Sequence, residues 1–198
     1  DEIDKRIVKF RKTLPKGYEV NFEGEVLVMK NSFSSLFLGL ILAIIFAFLI
    51  ITPLFKSFKQ PLIIIFAFPL GIIGVVFLML ITNTYLSIQS IMGIIMMVGI
   101  SVSYGNILID RVNNLIKEGL SIKDAIINGC SDRFRPLLMT AATTVFAMMP
   151  TAIGLGGSDT NTPLAIAVIG GTTTATILTL YVIPTLYLII VKSKTDEK

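Results

Sequence analysis

The sequence predicts an all-α polytopic membrane protein with five transmembrane helices, preceded by a short α/β remnant of a domain outside the membrane. Two observations carry this prediction. Of the 198 residues, 54% are hydrophobic and only 15% are charged, whereas a soluble domain carries roughly 25% charged residues. The charges also cluster in the first thirty residues, in two loops and at the C-terminal tail. The long uncharged stretches between them are typical of helices that cross a bilayer.

The first 32 residues differ from the rest and are expected to be the end of a larger soluble domain. Apolar residues recur at helical spacing between positions 3 and 14, and residues 18–25 alternate apolar and polar side chains as a strand does. One helix and one strand cannot bury a core by themselves. We therefore expect residues 1–32 to be completed by a larger domain that is missing from this chain.

Five apolar runs follow and predict the transmembrane helices. The first has twenty uncharged residues at 36–55, which span about 30 Å at about 1.5 Å per residue, the thickness of the hydrocarbon layer. Pro53 and Lys56 close this run. The remaining runs occupy residues 62–81, 88–109, 136–154 and 163–191. The membrane domain is expected over residues 33–191, with a cytoplasmic tail at 192–198.

The distribution of basic residues predicts the orientation. Lys and Arg concentrate after the first run, between the third and fourth runs and in the tail, while the loops at 82–84 and 156–160 carry none. Because cytoplasmic loops are rich in these residues, we expect the N-terminus to lie outside and the C-terminus to lie in the cytoplasm. The seven basic residues among the first 32 fit this orientation if a large domain is translocated, since long domains cross regardless of charge.

Composition argues against several other functions. The chain has no histidine, which removes histidine-based triads, H-E-x-x-H zinc sites and imidazole proton shuttles. Its net charge of +4 comes from basic residues near helix ends without aromatic stacking partners, so nucleic acid is not an expected partner. Residues 154–159 lack the phosphate-binding G-x-x-x-x-G-K-[ST] pattern. We expect a transporter driven by an ion gradient, with no enzymatic activity and no cofactor.

Methionines leave a metal-transport interpretation open. Thioethers ligate Cu(I), and the apolar runs contain Met92, Met96, Met97, Met139, Met148 and Met149. Methionine is also a common filler of apolar cores. No metal site is therefore assigned, and export of heavy metals remains an alternative to export of apolar compounds.

A polar stripe in the third helix is the main candidate for ion coupling. Gly99, Ser103, Asn106 and Asp110 follow one another at steps of 4, 3 and 4 and so share one helical face. They can hydrogen-bond to a neighbouring helix, with Asp110 marking the cytoplasmic end, or form a polar relay for ions. The hydroxyl of Thr140 and those of two later threonines in the fourth helix can join this network or bond within their own helix.

Small residues predict where helices pack closely. Ala67 and Gly71 in the second helix, and Ala167, Gly171 and Ala175 in the fifth, recur every four residues. This spacing lets helix backbones approach each other in a membrane. It is a packing feature and assigns no function.

Taken together, these stretches resemble the C-terminal membrane part of resistance-nodulation-division (RND) efflux transporters, the inner-membrane permeases of tripartite exporters. The resemblance covers nearly the whole chain. The stretches that carry it are YEVNFEGE, SFSSL, PLIIIFAFPLGIIG, GISVSYGNILIDRVNNLIKEGLSIKDAI, RFRPLLMTAATT and PLAIAVIGGTTTATILTLYVIPTLY. The pattern R-x-R-P-x-L-M-T is the most specific among them.

The resemblance implies a transporter of twelve helices in two pseudo-repeated halves, of which this chain would supply the last five. It also implies a bacterial inner membrane, with residues 1–32 ending a periplasmic domain, a periplasmic N-terminus and a cytoplasmic C-terminus. It implies export of hydrophobic or amphiphilic compounds driven by the proton-motive force. The implied partners are the lipid bilayer, the N-terminal half of the same transporter, further copies in a homotrimer, a periplasmic adaptor and an outer-membrane channel. A non-transporting membrane scaffold or an inactive fragment remains the alternative, because the family binds substrate in a domain outside this chain.

The resemblance also implies site residues. Drug exporters of the family carry a lysine in the third of these helices, which pairs with two carboxylates of the other half. Ser103 stands at that position here, where Tyr104 and Asn106 could substitute by hydrogen bonding, or the coupling ion could differ. Arg133 and Thr140 match positions implicated in the drug pumps. The spans contain no interior carboxylate, and Asp110 is the nearest, so this chain alone is not expected to complete a proton cycle.

Overall fold

The computed structural model describes residues 25–155 and 159–195, and all regular secondary structure in this part of the chain is helical. Its α-helices are α1 (Glu25–Phe55), α2 (Lys59–Ile65), α3 (Ala67–Ile81), α4 (Ile88–Lys117), α5 (Ile122–Ala152) and α6 (Thr162–Thr195). A 3-10 turn, Asp159–Asn161, precedes α6. The helix and strand predicted near the N-terminus lie outside the described residues, except for Glu25, which begins α1.

Four segments of the described chain are long and apolar enough to cross a membrane: Asn31–Phe55, Lys59–Ile81, Ile88–Lys117 and Thr162–Ile189. Helix α5 is not among the segments that meet this measure. Its apolar part begins only after Arg135 and contains four threonines and two prolines, which lower its hydropathy. A span over residues 136–154 therefore stays a prediction.

The second predicted span, residues 62–81, is broken into two helices. Helix α2 ends at Ile65 and α3 begins at Ala67. Pro69 has no N–H to donate to the carbonyl of Ile65, and its ring clashes with that carbonyl. The helix therefore breaks one turn before the proline. The two pieces together still form a hydrophobic segment of 23 residues.

Helices α4 and α5 continue well beyond their apolar runs. The 30 residues of α4 extend about 45 Å, more than the roughly 30 Å of the hydrocarbon layer. Helix α5 begins at Ile122, far ahead of Pro136, where its apolar run starts. The segment between residues 110 and 135, which the sequence marks only as a polar link, is therefore a helical hairpin that projects from one membrane surface.

Local chemistry stabilises the turn of this hairpin. Gly119 has a φ of 98°, a left-handed conformation that glycine adopts at little cost. The N–H groups of residues 119 and 120 bond to carbonyls of the last turn of α4, which is a Schellman ending. The Ser121 hydroxyl accepts the N–H of Asp124 and caps α5. Arg111 Nη2 lies 2.7 Å from Asp132 Oδ2 and joins the two arms.

Helix α6 is the centre of the packing, with its most extensive contacts to α3, α4 and α5. Its inner face is made of small side chains: Ala165, Ala167, Val168, Thr172 and Ala175 have no exposed surface. The closest crossing joins Gly74 of α3 to Gly170 of α6, since a Cβ added at Gly170 would lie 2.6 Å from the carbonyl oxygen of Gly74. Neither glycine at this crossing was singled out from the sequence.

Of the small residues that were singled out, Gly71 and Gly171 lie in the same interface. A Cβ at Gly71 would lie 2.5 Å from the sulfur of Met97, and one at Gly171 would overlap the same methionine side chain. Met97 is itself fully buried. It therefore fills the space that Gly71 and Gly171 leave open between α3, α4 and α6.

Candidate functional site

The polar stripe of α4 lies on the surface of the described chain. Gly99, Ser103 and Asp110 are exposed, and Asn106 is half-buried. We call these four residues the α4 polar face. Exposed polar groups on a membrane-spanning helix must meet protein or water, because lipid offers them no hydrogen bonds. The position of this face therefore implies a covering surface that this part of the chain does not supply.

Asn106 has an unfavourable hydrogen-bonding position on this face. Its Oδ1 atom is buried and has no hydrogen-bond partner among the described residues. An unpaired buried acceptor costs about 1–3 kcal/mol. Because atoms of this chain cover Oδ1, Asn106 can accept a hydrogen bond from a group outside the described chain only after its amide rotates.

Tyr104 lies on a different side of α4 from Ser103. It is 3% exposed and packs against Leu137 and Ala141 of α5. Its hydroxyl lies close to Thr144, but no hydrogen bond of normal geometry reaches it from the described residues. Tyr104 is thus part of the contact between α4 and α5 and not of the α4 polar face.

The threonines of α5 bond to their own helix. Thr140, Thr143 and Thr144 each donate to the carbonyl four residues earlier, at 2.9, 2.8 and 2.9 Å respectively. Of the two arrangements that the sequence allows, the described structure has the one within the helix. Thr140 is exposed, so its hydroxyl oxygen stays accessible to an incoming donor.

Two further buried polar atoms lack partners in the described part of the chain. They are Nε of Arg133 in α5 and Oγ1 of Thr179 in α6. Thr179 was not predicted, because threonines in an apolar run carry no signal that separates a paired hydroxyl from an unpaired one. Within the described residues, no hydrogen bond or ion pair joins any two of the six predicted site residues: Ser103, Tyr104, Asn106, Asp110, Arg133 and Thr140.

A hydrogen-bond network that the sequence does not reveal joins α2, α4 and α6. Gln60 and Asn113 exchange two amide hydrogen bonds of 3.1 Å. The hydroxyl of Tyr187 donates to Asn113 Oδ1 at 2.7 Å. The partners lie 53 and 74 positions apart in sequence, so no local pattern connects them. All three side chains line a cavity of about 570 Å³.

The methionines fall into two groups. Met92 and Met96 are 43% and 47% exposed and continue the α4 polar face toward the start of the helix at the same spacing. Met97 is buried and serves packing, as described above. Among the described residues, no group of three His, Cys, Asp or Glu side chains lies close enough together to hold a metal ion.

Comparison with known proteins gives consistent matches. The sequence profile of the AcrB/AcrD/AcrF family matches residues 2–191. The swarming motility protein SwrC of Bacillus subtilis (strain 168) is 33% identical over 185 residues, which are 92% of this chain and 18% of that protein. Two crystal forms, II and I, of a heavy metal efflux pump are 29% and 28% identical, with TM-scores of 0.79 and 0.76. Each of these matches covers 96% of this chain and 19% of the pump chain.

The chain thus spans less than a fifth of the length of these relatives. The family match nevertheless covers the whole membrane domain predicted from the sequence. Together with the membrane-length helices, it supports a multi-pass protein of the inner membrane. The chain belongs to the AcrB/AcrD/AcrF family of RND transporters.

Proposed function

We propose that this chain forms the C-terminal membrane part of an exporter that the proton-motive force drives and that carries hydrophobic or amphiphilic compounds. The observation that carries the proposal is the α4 polar face, where Ser103 and Asp110 are exposed and the buried Oδ1 of Asn106 is unpaired. Ionisable and polar groups within a membrane are costly and mark ion pathways. The proton-binding carboxylates would come from the other half of the transporter, docked on this face.

The chemistry of Asn106 suits such a role. An ionised carboxylate only accepts hydrogen bonds, whereas a protonated one also donates. The amide of Asn106 can donate from Nδ2 to the ionised form and accept at Oδ1 from the protonated form. Asn106 can therefore respond to a change in the protonation of a carboxylate through hydrogen bonds and without a charge of its own. A lysine at the position of Ser103 would respond to the same change through its charge.

The remaining organisation belongs to the same proposal. Residues 1–32 would end a periplasmic domain, five spans would fill residues 33–191, and residues 192–198 would lie in the cytoplasm. A homotrimer with a periplasmic adaptor and an outer-membrane channel would complete the exporter. Family membership supports these features, and the exposure of Ser103 and Asp110 on the α4 polar face supports a partner half.

The direct test is efflux from cells that express the full-length gene. A panel of dyes and metal ions is loaded, and their export is followed with and without a protonophore that collapses the proton gradient. We expect export of apolar or amphiphilic dyes that stops when the gradient collapses. Absence of export under both conditions would favour a membrane scaffold or an inactive protein.

Heavy-metal export is a second candidate, because two exposed methionines, Met92 and Met96, continue the α4 polar face and the similar crystal structures are of a heavy metal efflux pump. Thioethers would be the ligands of a soft ion such as Cu(I). Replacing both methionines by leucine keeps their volume and removes the sulfur. Lower copper or silver resistance in this variant, with unchanged dye export, would favour the metal; unchanged resistance would remove this candidate.

A further inference from the structure

A cavity lies at the end of the membrane domain that carries the basic loops. Its volume is about 570 Å³, and it is enclosed by the end of α1, the start of α2 and the ends of α4 and α6. Polar and charged side chains line one part of it: Lys56, Gln60, Asp110, Asn113, Lys117 and Tyr187. Apolar side chains, among them Leu54 and Phe55, line the rest. We call it the basic-end cavity.

The amide network in this cavity has spare donors. Asn113 Oδ1 already accepts two hydrogen bonds, from Gln60 and from Tyr187. Each amide nitrogen carries two N–H groups and uses one of them in the exchange between Gln60 and Asn113. Because a donor-rich wall suits an oxyanion and not a cation, the expected ligand has negatively charged oxygen atoms.

The charges of the lining agree with an anion of one negative charge. Lys56 and Lys117 are both exposed, and Asp110 opposes them, which leaves one net positive charge. A phosphodiester carries one negative charge. Lysine binds phosphate as a compact point charge with several donors, so one lysine from the end of α1 and one from the end of α4 can together hold one phosphate group.

The backbone conformation of Lys56 also supports an anion site. Lys56 directly follows α1 and has a φ of 49°, where glycine or asparagine is the usual residue at a helix end. A side chain with this φ costs conformational energy, and such outliers concentrate at ligand clamps and functional sites. The turn alone therefore does not account for a lysine here.

The depth of the cavity fits a lipid headgroup. Lys56 ends the uncharged run of α1, and the lining residues of α4 lie in the part that extends beyond its apolar run. The cavity thus lies at the boundary between hydrocarbon and headgroups. Leu54 and Phe55 stand next to Lys56 on the apolar side, where acyl chains would begin.

We propose that the basic-end cavity binds the headgroup of an anionic phospholipid of the adjacent leaflet, with the phosphate between Lys56 and Lys117 and near the amides of Gln60 and Asn113. This site is distinct from the coupling role proposed for Ser103 and Asn106, although Asp110 of the α4 polar face also lines the cavity. It would anchor α1, α2, α4 and α6 to the bilayer at one point, whatever compound the transporter exports.

The test is lipid binding to the purified full-length transporter, followed by native mass spectrometry during titration with phosphatidylglycerol, with phosphatidylcholine or with inorganic phosphate. Lys56→Ala with Lys117→Ala removes both charges, and Lys59→Ala with Lys123→Ala is the matched control, because these exposed lysines do not line the cavity. A direct charge pair between an exposed lysine and a bound phosphate contributes up to about 1 kcal/mol, which is about fivefold in affinity. We expect roughly 25-fold weaker phosphatidylglycerol binding in the first variant and little change in the control.

Three outcomes would overturn the proposal: equal binding by both double variants, equal affinity for phosphatidylcholine, or inorganic phosphate binding as tightly as the lipid, which would assign the cavity to free phosphate. Lys56→Arg with Lys117→Arg should retain binding, which separates loss of charge from misfolding. Since no transport is measured, the outcome does not depend on whether the exporter works as proposed.

Discussion

Gly74 is the residue at which one added methyl group should matter most. Its Cβ would overlap the Thr174 side chain and the backbone oxygen of Gly170, and backbone cannot move aside as a flexible side chain can. Overpacking of this kind costs about 1–3 kcal/mol. We expect Gly74→Ala to lower the melting temperature of the purified full-length transporter. Gly39→Ala is the control, since nothing lies within 4 Å of a Cβ there; equal melting of the two variants would contradict the close crossing.

Cys130 gives a test that depends on pH. It lies in the first part of α5, ahead of the predicted span, and burial raises the pKa of its thiol. The thiolate is the reactive form, so a raised pKa lowers the thiolate fraction at neutral pH and moves the midpoint of reaction upward. We expect maleimide to modify Cys130 several-fold more slowly than an exposed thiol at neutral pH, with the difference shrinking as pH rises.

The matched thiol is Ser131→Cys in a Cys130→Ser background, because Ser131 is exposed and adjacent. Both versions need a transporter without other reactive cysteines. Identical rates and identical pH midpoints at the two positions would show that Cys130 is not shielded.

The sequence predicts which side of α4 some of the candidate residues occupy, but not the surroundings of the others. Helical spacing alone puts Ser103, Asn106 and Asp110 on one face, and the structure shows that face exposed. Tyr104 joins the candidates only as their neighbour in the motif, yet one residue along a helix turns the side chain by about 100°. The Tyr104 side chain therefore packs against α5. This contact depends on how the helices are arranged, which the sequence pattern does not show.

At the scale of helices, the contact among α2, α4 and α6 at the basic end depends on Tyr187. Tyr187→Phe would remove one of the two hydrogen bonds to Asn113 Oδ1, at a cost of about 1 kcal/mol. Tyr181→Phe is the control, since Tyr181 is 72% exposed. We expect a lower melting temperature only for Tyr187→Phe. A comparable shift for both tyrosines would mean that this network contributes nothing particular to packing.

The sequence predicts that the helices exist better than it predicts where they end. Apolar runs locate the cores of α1, α3, α4 and α6 because hydropathy is read directly from side chains. The extension of α4 to Lys117 has no such signal, since polar residues outside the membrane fit a helix and a loop equally well. Pro69 is a sequence signal for the helix break before Ala67. It does not predict the break by itself, because membrane helices tolerate proline.

For the whole molecule, the number of membrane crossings is the main prediction that the structure leaves open. If α5 crosses, residue 120 and the C-terminus lie in the cytoplasm and residue 160 lies outside. Alkaline phosphatase, which is active only outside the cytoplasm, can be fused after each of these positions in the full-length protein. We expect activity after residue 160 alone. An inactive fusion there would show that α5 does not cross and that the chain has an even number of spans.

The surface that covers the α4 polar face is also a question about the whole molecule. The sequence predicts which residues form this face. It does not provide the carboxylates proposed to meet this face, because the predicted spans carry no interior carboxylate. The exposure of Ser103 and Asp110 is the physical trace of that missing surface. The coupling role proposed for this chain would therefore be a property of the complete transporter.

The measurement that tests this most directly is export driven by a pH gradient in vesicles that contain the full-length transporter. The variant is Asn106→Leu, and Asn128→Leu is the matched control, because Asn128 is exposed in α5 ahead of the predicted span. Both must reach the vesicles in wild-type amounts. We predict that Asn106→Leu abolishes most of the gradient-driven component while Asn128→Leu retains it. Full gradient-driven export by Asn106→Leu would contradict a role for the α4 polar face in ion coupling.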